Sequence, residues 1–427
     1  MWILAFILVF FLSGQVMFVS LGLASIIVLL TVFNMPVHMV SQLILNRVSS
    51  SPLLAMPLFM LAGNLLLSGG GAKKMVEFFD SLLGHIPGGM LLTVVGFCTF
   101  FAAMTGSGYA TIAAIGTMML PQMRDAGYSA RLRTGIIVCA GQLGNCIPPS
   151  ITLVSVGVLT ERSVATLFAG AMIPGLCISA GLLIVGYIVA KVQGVATKPK
   201  SSWKARWNIL WRSIPALAMP IFILGGIYTG QFTPTEAAAI SCLYAIIIGV
   251  FIYGGLRSWA SLKTGFFNAM RSAVMIYMIF VAVATFATVI SRSGFAVWLS
   301  EQLLALGLGK LGVVIVWNCF MLVLGFFYNP ISLMYLTIPI LGPVFESLGI
   351  NLIWLGVLWL LNALIGAVTP PMAGALYVTA RVADEPPETV FRGALPFLAV
   401  WVVVLFLCMF IPGLITWLPE RMGMMVF

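Results

Sequence analysis

Gly141–Ser150 reads GQLGNCIPPS and Gly366–Gly374 reads GAVTPPMAG, and each stretch stands in a run apolar enough to cross a bilayer. Proline lacks the backbone N–H, and its ring blocks the carbonyl one turn earlier, so a Pro-Pro pair unwinds a span at that point. Each break leaves free carbonyls on one side and free N–H groups on the other. In hydrocarbon such orphans cost several kcal/mol each, so they must face protein or a water-filled cavity. Two such breaks in one chain are therefore the feature to build from.

They stand in a common register. A shift of 222 positions places Pro121 on Pro343, Gly127 on Gly349, Gly144 on Gly366, Pro148 on Pro370 and Pro149 on Pro371 without a gap. After a one-residue adjustment Phe168 meets Phe391 and Gly170 meets Gly393. A duplication follows from that coincidence. The loop RDAGYSARLR carries Arg124, Arg131 and Arg133, whereas its counterpart ESLGINLIWL, beginning at Glu346, has no basic residue. Loops rich in Lys and Arg stay in the cytoplasm, so the two copies are expected to be inverted; a parallel duplication would give both loops similar charge.

The rest of the chain fits a membrane protein. Of its 427 residues 61% are hydrophobic and 7% charged, against about 25% charged in soluble domains. Apolar stretches such as Trp2–Phe33, Ser163–Ala190, Thr264–Ile290 and Leu395–Leu418 recur from end to end, which predicts an all-α protein with roughly ten to twelve transmembrane helices. No charge precedes Arg47, so the N-terminus is expected to be kept as a span rather than removed as a signal. Seven scattered cysteines and two histidines give no transition-metal spacing. The segment 191–212 holds six Lys or Arg, no acid, and tryptophans at 203, 207 and 211. It reads as a basic cytoplasmic connector; a basic amphipathic helix lying on the membrane surface fits the same residues. Nucleic-acid binding has no soluble domain to support it.

Each half contains a second interruption. TGSGYAT (Thr105–Thr111) and FYNPISL (Phe327–Leu333) each separate two half-length apolar arms, the pattern of a re-entrant hairpin. The predicted organisation is a first half (1–190) with hairpin 88–123 and broken helix 130–160, the connector, and a second half (213–427) with hairpin 311–346 and broken helix 351–384. Paired interrupted helices in corresponding halves point to the midplane site of a secondary transporter. Half-helix N-termini suit an anion, and unwound carbonyls suit a hard cation. All eleven Asp and Glu lie in or near predicted loops or span ends, which favours Na⁺ on neutral oxygens over a proton relay. Glu236, in TPTE (Thr233–Glu236), reads as half of a capping box rather than a ligand. Lys73, Lys74, Arg257 and Lys263 read as cytoplasmic anchors. Enzymatic chemistry has no support: GLGKL (Gly307–Leu311) lacks the spacing of a phosphate loop, and Ser107 has neither a nearby histidine nor the nucleophile-elbow spacing.

At these residues the chain resembles the large membrane subunit of tripartite ATP-independent periplasmic (TRAP) transporters over essentially its whole length. The resemblance rests on SSPLLAMPLFMLAGNLL (Ser50–Leu66), TGSGYATIAAIGTMMLPQM (Thr105–Met123), GQLGNCIPPSI, FTPTEAAA (Phe232–Ala239), TPPM (Thr369–Met372) and LPFL (Leu395–Leu398). It implies an elevator-type transporter of the bacterial inner membrane, importing a small organic anion such as a carboxylate or sulfonate with Na⁺ as coupling ion. It also implies two partners, a small four-helix membrane subunit and a soluble periplasmic substrate-binding protein. Carried over by motif, one cation site uses Gly106, Ser107 and Gly108 with Gly144, Asn145, Pro148, Pro149 and Ser150. The other uses Asn329, Pro330 and Ser332 with Gly366, Thr369, Pro370, Pro371 and Met372, and substrate lies between the tips. The chain departs from the family at Gly108-Tyr109, at Asn329-Pro330 where Asp-Pro is common, and at PPMAG where the glycine is delayed. In the second copy Asn145 and Ser150 meet Ala367 and Met372, so backbone carbonyls are the expected ligands. A stand-alone symporter or permease without a binding protein fits the same residues.

Overall fold

The computed structural model describes residues 17–195, 197–305, 307–326, 328, 330–371 and 373–426. Every regular element among them is helical. Helices α1 (Met17–Thr31), α2 (Val37–Val48), α3 (Ser51–Gly69) and α4 (Gly71–Leu83) come first. The first hairpin is α5 (Gly89–Thr105) and α6 (Gly108–Asp125); the first broken helix is α7 (Ala130–Gly141), α8 (Leu143–Cys146) and α9 (Ile151–Thr160), followed by α10 (Val164–Val192). Next stand α11 (Trp203–Tyr228), α12 (Pro234–Ile247, extended by a π turn over Ile248–Ile252), α13 (Trp259–Arg292) and α14 (Phe295–Ala305). The second hairpin is α15 (Lys310–Gly325) and α16 (Pro330–Ser347), the second broken helix α17 (Leu352–Gly366) and α18 (Gly374–Ala383), and α19 (Pro387–Phe410) and α20 (Gly413–Arg421) end the chain.

Six of these helices are long and apolar enough to cross a membrane: α3, α10, α11, α12 with its π turn, α13 and α19. A bent pair, Ala130–Cys146 with Ile151–Thr160 at 43°, makes a seventh, and α5, α15, α17 and Val19–Thr31 are shorter apolar helices. The stretch 191–212 is less of a connector than its charge implies. Lys191 and Val192 end α10, and Trp203–Arg212 are already the first turns of the 26-residue α11, with Trp203, Trp207 and Trp211 all exposed. Among the described residues the irregular part is 193–195 and 197–202.

Local chemistry sets the helix starts. Ser129, Ser150, Ser163, Ser202 and Ser258 each accept a bond from an N–H of the first turn they precede, which satisfies a donor the helix leaves free. At α12 both halves of the capping box form: Glu236 N–H donates to Thr233 Oγ1 at 3.3 Å, and Thr233 N–H donates to Glu236 Oε2 at 2.8 Å.

The duplication is visible atom by atom. Both Pro148-Pro149 and Pro370-Pro371 are cis. Each hairpin's second arm ends at a left-handed glycine, Gly127 and Gly349. The following N–H closes the same turn in both copies, Tyr128 to the Met123 carbonyl and Ile350 to the Phe345 carbonyl, each at 2.9 Å. Past the prolines the offset becomes 223: α9 and α18 both end at a left-handed acid, Glu161 and Asp384, and Arg162 and Glu385 each donate back into the last turn. The extra residue therefore lies between Pro371 and Gly374, inside the second break.

The copies interlock. Gly393 of α19 lies so close to α7 that a Cβ on it would stand 1.9 Å from the Arg131 carbonyl oxygen, and a Cβ on Gly135 would stand 2.1 Å from the Gly393 oxygen. The repeat-related pair is Gly170 of α10 against Ile353 of α17. In the same crosswise way α9 packs on α16, where Ser155 Oγ and Tyr335 OH are 2.9 Å apart, and α18 packs on α6 through Val382 and Gly116. The hairpins and broken helices, with α10 and α19, thus form one body. The helices α1 to α4 and α11 to α13 pack chiefly on each other beside it.

Candidate ion and substrate site between the hairpins

The first tip is clamped onto the first break. Gly106 ends α5 with φ of 60°, a left-handed conformation that suits glycine. A Cβ there would also stand 3.0 Å from the Pro149 carbonyl oxygen. Ile151 N–H donates to the Gly106 carbonyl at 3.1 Å, and Gly108 N–H donates to Asn145 Oδ1 at 2.9 Å. Asn145 Nδ2 in turn donates to Gln142 Oε1 at 3.0 Å, and Ser150 Oγ donates to the Asn145 carbonyl. Gly144 brings the break close enough that a Cβ would stand 2.7 Å from the Ser107 carbonyl oxygen. Thr105 and Thr111 hydroxyls, 3.1 Å apart, stand at the same tip. All eight residues expected in the first set, Pro148 among them, therefore gather at one tip and one break.

The oxygens at this junction are neutral: the carbonyls of Gly106, Ser107 and Asn145, which accept from Ile151, Thr111 and Ser150, and the carbonyl of Pro149 beside Gly106. Neutral oxygens without a thiolate or imidazole suit a hard monovalent cation. Among the described residues no three His, Cys, Asp or Glu cluster as metal ligands.

The second set is arranged differently. Asn329 and Met372 lie outside the described residues. Gly366 packs on Gly325, where a Cβ would stand 2.6 Å from the Gly325 oxygen. Asn362 donates to Asn318 Oδ1, and Trp359 Nε1 donates to Thr337 Oγ1 at 3.1 Å, so α15, α16 and α17 are tied by polar bonds inside the bundle. Thr369 Oγ1 donates to the Ile365 carbonyl and Tyr377 OH to the Pro371 carbonyl. Ser332 is buried, but Thr369 is half-buried and Pro370 and Pro371 are exposed, whereas Gly141 to Ser150 are buried throughout. The helix-capping partner of Ser150 is Ala373, not Met372, because of the extra residue; Ala373 makes no side-chain cap to α18.

A cavity of about 780 Å³ lies between the tips. Ser107 and Ala110 border it from the start of α6, Ile151 and Thr152 from α9, Pro330 and Ile331 from α16, and Gly374 from α18. Four half-helix N-termini, two from each copy, thus open on one space. Each carries partial positive charge, worth about 0.3–1 kcal/mol to an anion and up to about 2 in a partly buried setting.

The facing wall comes from α3 and α13, with Asn64, Asn268, Arg271 and Ser272. Arg271 is the one charged residue among those lining the cavity. Sequence reasoning passed over it, although it interrupts the apolar run Thr264–Ile290. A basic residue inside an apolar run is as strong a signal as an acidic one.

The sequence model described as "Tripartite ATP-independent periplasmic transporter, DctM component" matches residues 4–414. The chain is 33% identical over 405 residues to the C4-dicarboxylate TRAP transporter large permease protein DctM of Pseudomonas aeruginosa, covering 95% of each. It is 35% identical over 409 residues to the sialic acid TRAP transporter permease protein SiaT of Haemophilus influenzae, covering 94% of this chain and 66% of that one. It is 31% identical over 406 residues to the isethionate TRAP transporter permease protein DctMQ of Oleidesulfovibrio alaskensis, covering 95% of this chain and 64% of that one. The chain thus spans about two thirds of the length of these last two relatives. Among solved structures, the YdaH transporter of Alcanivorax borkumensis shares the fold, with a TM-score of 0.63 at 14% identity over 88% of both chains.

Proposed function

Because the chain belongs to the DctM component family of tripartite ATP-independent periplasmic transporters, and so is an inner-membrane large permease, we propose that it imports a small organic anion, coupled to Na⁺, by an elevator movement of the hairpin body against α3 and α11 to α13. The observation that carries this reading is the convergence of four half-helix N-termini, two from each inverted copy, on one cavity. That arrangement attracts an anion from either copy alike. The oxygen-rich clamp at Gly106–Gly108 and Gly144–Ser150 would hold one cation, and the second break, with Thr369 and the Pro371 carbonyl, another. A cation beside the cavity lowers the cost of bringing a carboxylate or sulfonate there, which is the basis of coupling.

The relatives' names support that substrate class: the C4-dicarboxylate, isethionate and sialic acid named for them all carry a carboxylate or sulfonate. A tripartite system and a permease called large imply a smaller membrane subunit and a periplasmic binding protein as partners. Vesicles containing the chain, with and without both partners, would be offered labelled succinate, isethionate and sialic acid in Na⁺ or K⁺. Uptake of at least one is expected in Na⁺ only and with both partners only. Uptake by the chain alone, indifferent to the binding protein, would instead establish a stand-alone permease. Ser107→Ala and Thr369→Ala should each raise the Na⁺ concentration for half-maximal uptake severalfold; unchanged Na⁺ activation in both would reject this ligand set.

A further inference from the structure

We infer that the guanidinium of Arg271 on α13 binds the anionic group of the transported molecule, with Asn268 and Ser272 beside it, and so sets the charge class that the cavity admits. The inference rests on the transport function proposed above.

An arginine within a membrane helix is expensive to keep and is retained where it has a charged partner, water or a function. Arg271 stands twelve residues into the 34-residue α13, roughly 18 Å along it at 1.5 Å per residue. It is exposed to the cavity, and no hydrogen bond or ion pair found among the described residues uses its guanidinium. Asn268, Arg271, Ser272 and Met275 recur at i, i+3, i+4 and i+7, so they share one helix face, and all four line the cavity. Phe266, Met270, Val274 and Met278 form a different, apolar face that borders a separate groove with α3. An arginine serving only to anchor the helix to lipid headgroups would belong with those apolar residues. Its place on the polar face, opposite the helix N-termini of the hairpin body, is what a substrate contact requires.

The shape of the group matters as much as its charge. A guanidinium offers a planar fork to two oxygens of a carboxylate or sulfonate, while an ammonium is a point charge. The fork on one wall and the partial positive ends of α6, α9, α16 and α18 on the other would grip an anion from two sides.

The test uses the complete system in vesicles, with labelled succinate, isethionate and sialic acid as probes, for the wild type, Arg271→Gln and Arg271→Lys. Alongside it, the rise in melting temperature caused by Na⁺ is measured on each purified chain. Arg271→Gln should cut initial uptake at least tenfold and Arg271→Lys by less, with the Na⁺-induced rise unchanged in both. Wild-type uptake in Arg271→Gln would overturn the inference while leaving the transport function standing. If that variant does not fold, the Lys variant decides: reduced uptake with an intact Na⁺ response supports the fork, and wild-type uptake overturns it. A wild-type system that carries none of the three probes in Na⁺ would overturn the anion-transport reading, and this inference with it.

Discussion

At the scale of single residues, the two copies solve the same geometric problem with opposite chemistry. In the first, the Gly108 N–H needs an acceptor and Asn145 supplies it. In the second, the matching residues are Pro330 and Ala367, so donor and acceptor are both gone. Proline at the first position of a helix loses nothing, because that N–H has no intrahelical partner. Asn145→Ala alone should therefore leave a buried N–H without an acceptor, at a cost of about 1–3 kcal/mol. Adding Gly108→Pro removes the orphan donor, and the alanine also clears one of the side chains a Cβ there would strike, Asn145 Nδ2 at 2.7 Å. The double variant should melt at a higher temperature in detergent than Asn145→Ala; a lower melting point would show that the hydrogen bond does not govern the tip. The glycines and prolines of this site were legible in the sequence because each imposes a backbone constraint that side-chain chemistry cannot hide. The clamp by Asn145 was legible only as a suitable oxygen, since nothing in the linear order says that it faces Gly108.

At the scale of elements, the breaks and hairpins were legible because half-length apolar arms around Gly, Pro, Ser or Asn have few other readings. The site of the one-residue offset was not: Phe168 and Phe391 reveal that it exists, but only the ends of α9 and α18 place it between Pro371 and Gly374. Its consequence is structural, since the serine that caps α9 is replaced by Ala373, and the second break stands more open than the first. Close crossings between elements were equally silent in the sequence. Gly135 and Gly393 were visible as glycines, yet their contact joins helices from different copies. A Cβ on Gly393 would lie 1.9 Å from a backbone oxygen, whereas one on Gly170, its repeat partner, would lie 3.2 Å from the Ile415 side chain and 3.3 Å from its carbonyl oxygen. Backbone cannot move aside without separating α7 from α19, so overpacking there should reach or exceed the usual 1–3 kcal/mol. Gly393→Ala should sharply lower the yield of monodisperse protein and its melting point, and Gly170→Ala should lower them little. Equal effects would mean that the crossing tolerates spreading.

At the scale of the molecule, one ion pair among the described residues spans the two bodies and offers a test of the proposed elevator movement. Arg47, at the end of α2, pairs with Glu161, at the end of the first broken helix, at 3.1 Å. The pair is largely exposed, so it contributes little to stability; its value is that it joins α2 to the hairpin body. The Arg133–Glu385 pair at 2.6 Å lies within the hairpin body instead, between its two copies, and is mostly buried. An elevator requires the first contact to break during each cycle and the second to persist. With the exposed Cys177 and Cys319 replaced by serine, cysteines at 47 and 161 joined by a flexible bifunctional thiol reagent about as long as the two lost side chains should stop uptake. A reducible linker should restore it on cleavage. The same linkage between cysteines at 133 and 385 should leave uptake nearly unchanged, provided the chain still folds by its Na⁺-induced melting shift. Full uptake with 47 and 161 demonstrably joined would mean that the hairpin body does not travel against α1 to α3, and transport would then have to proceed by local opening of the tips around a fixed site.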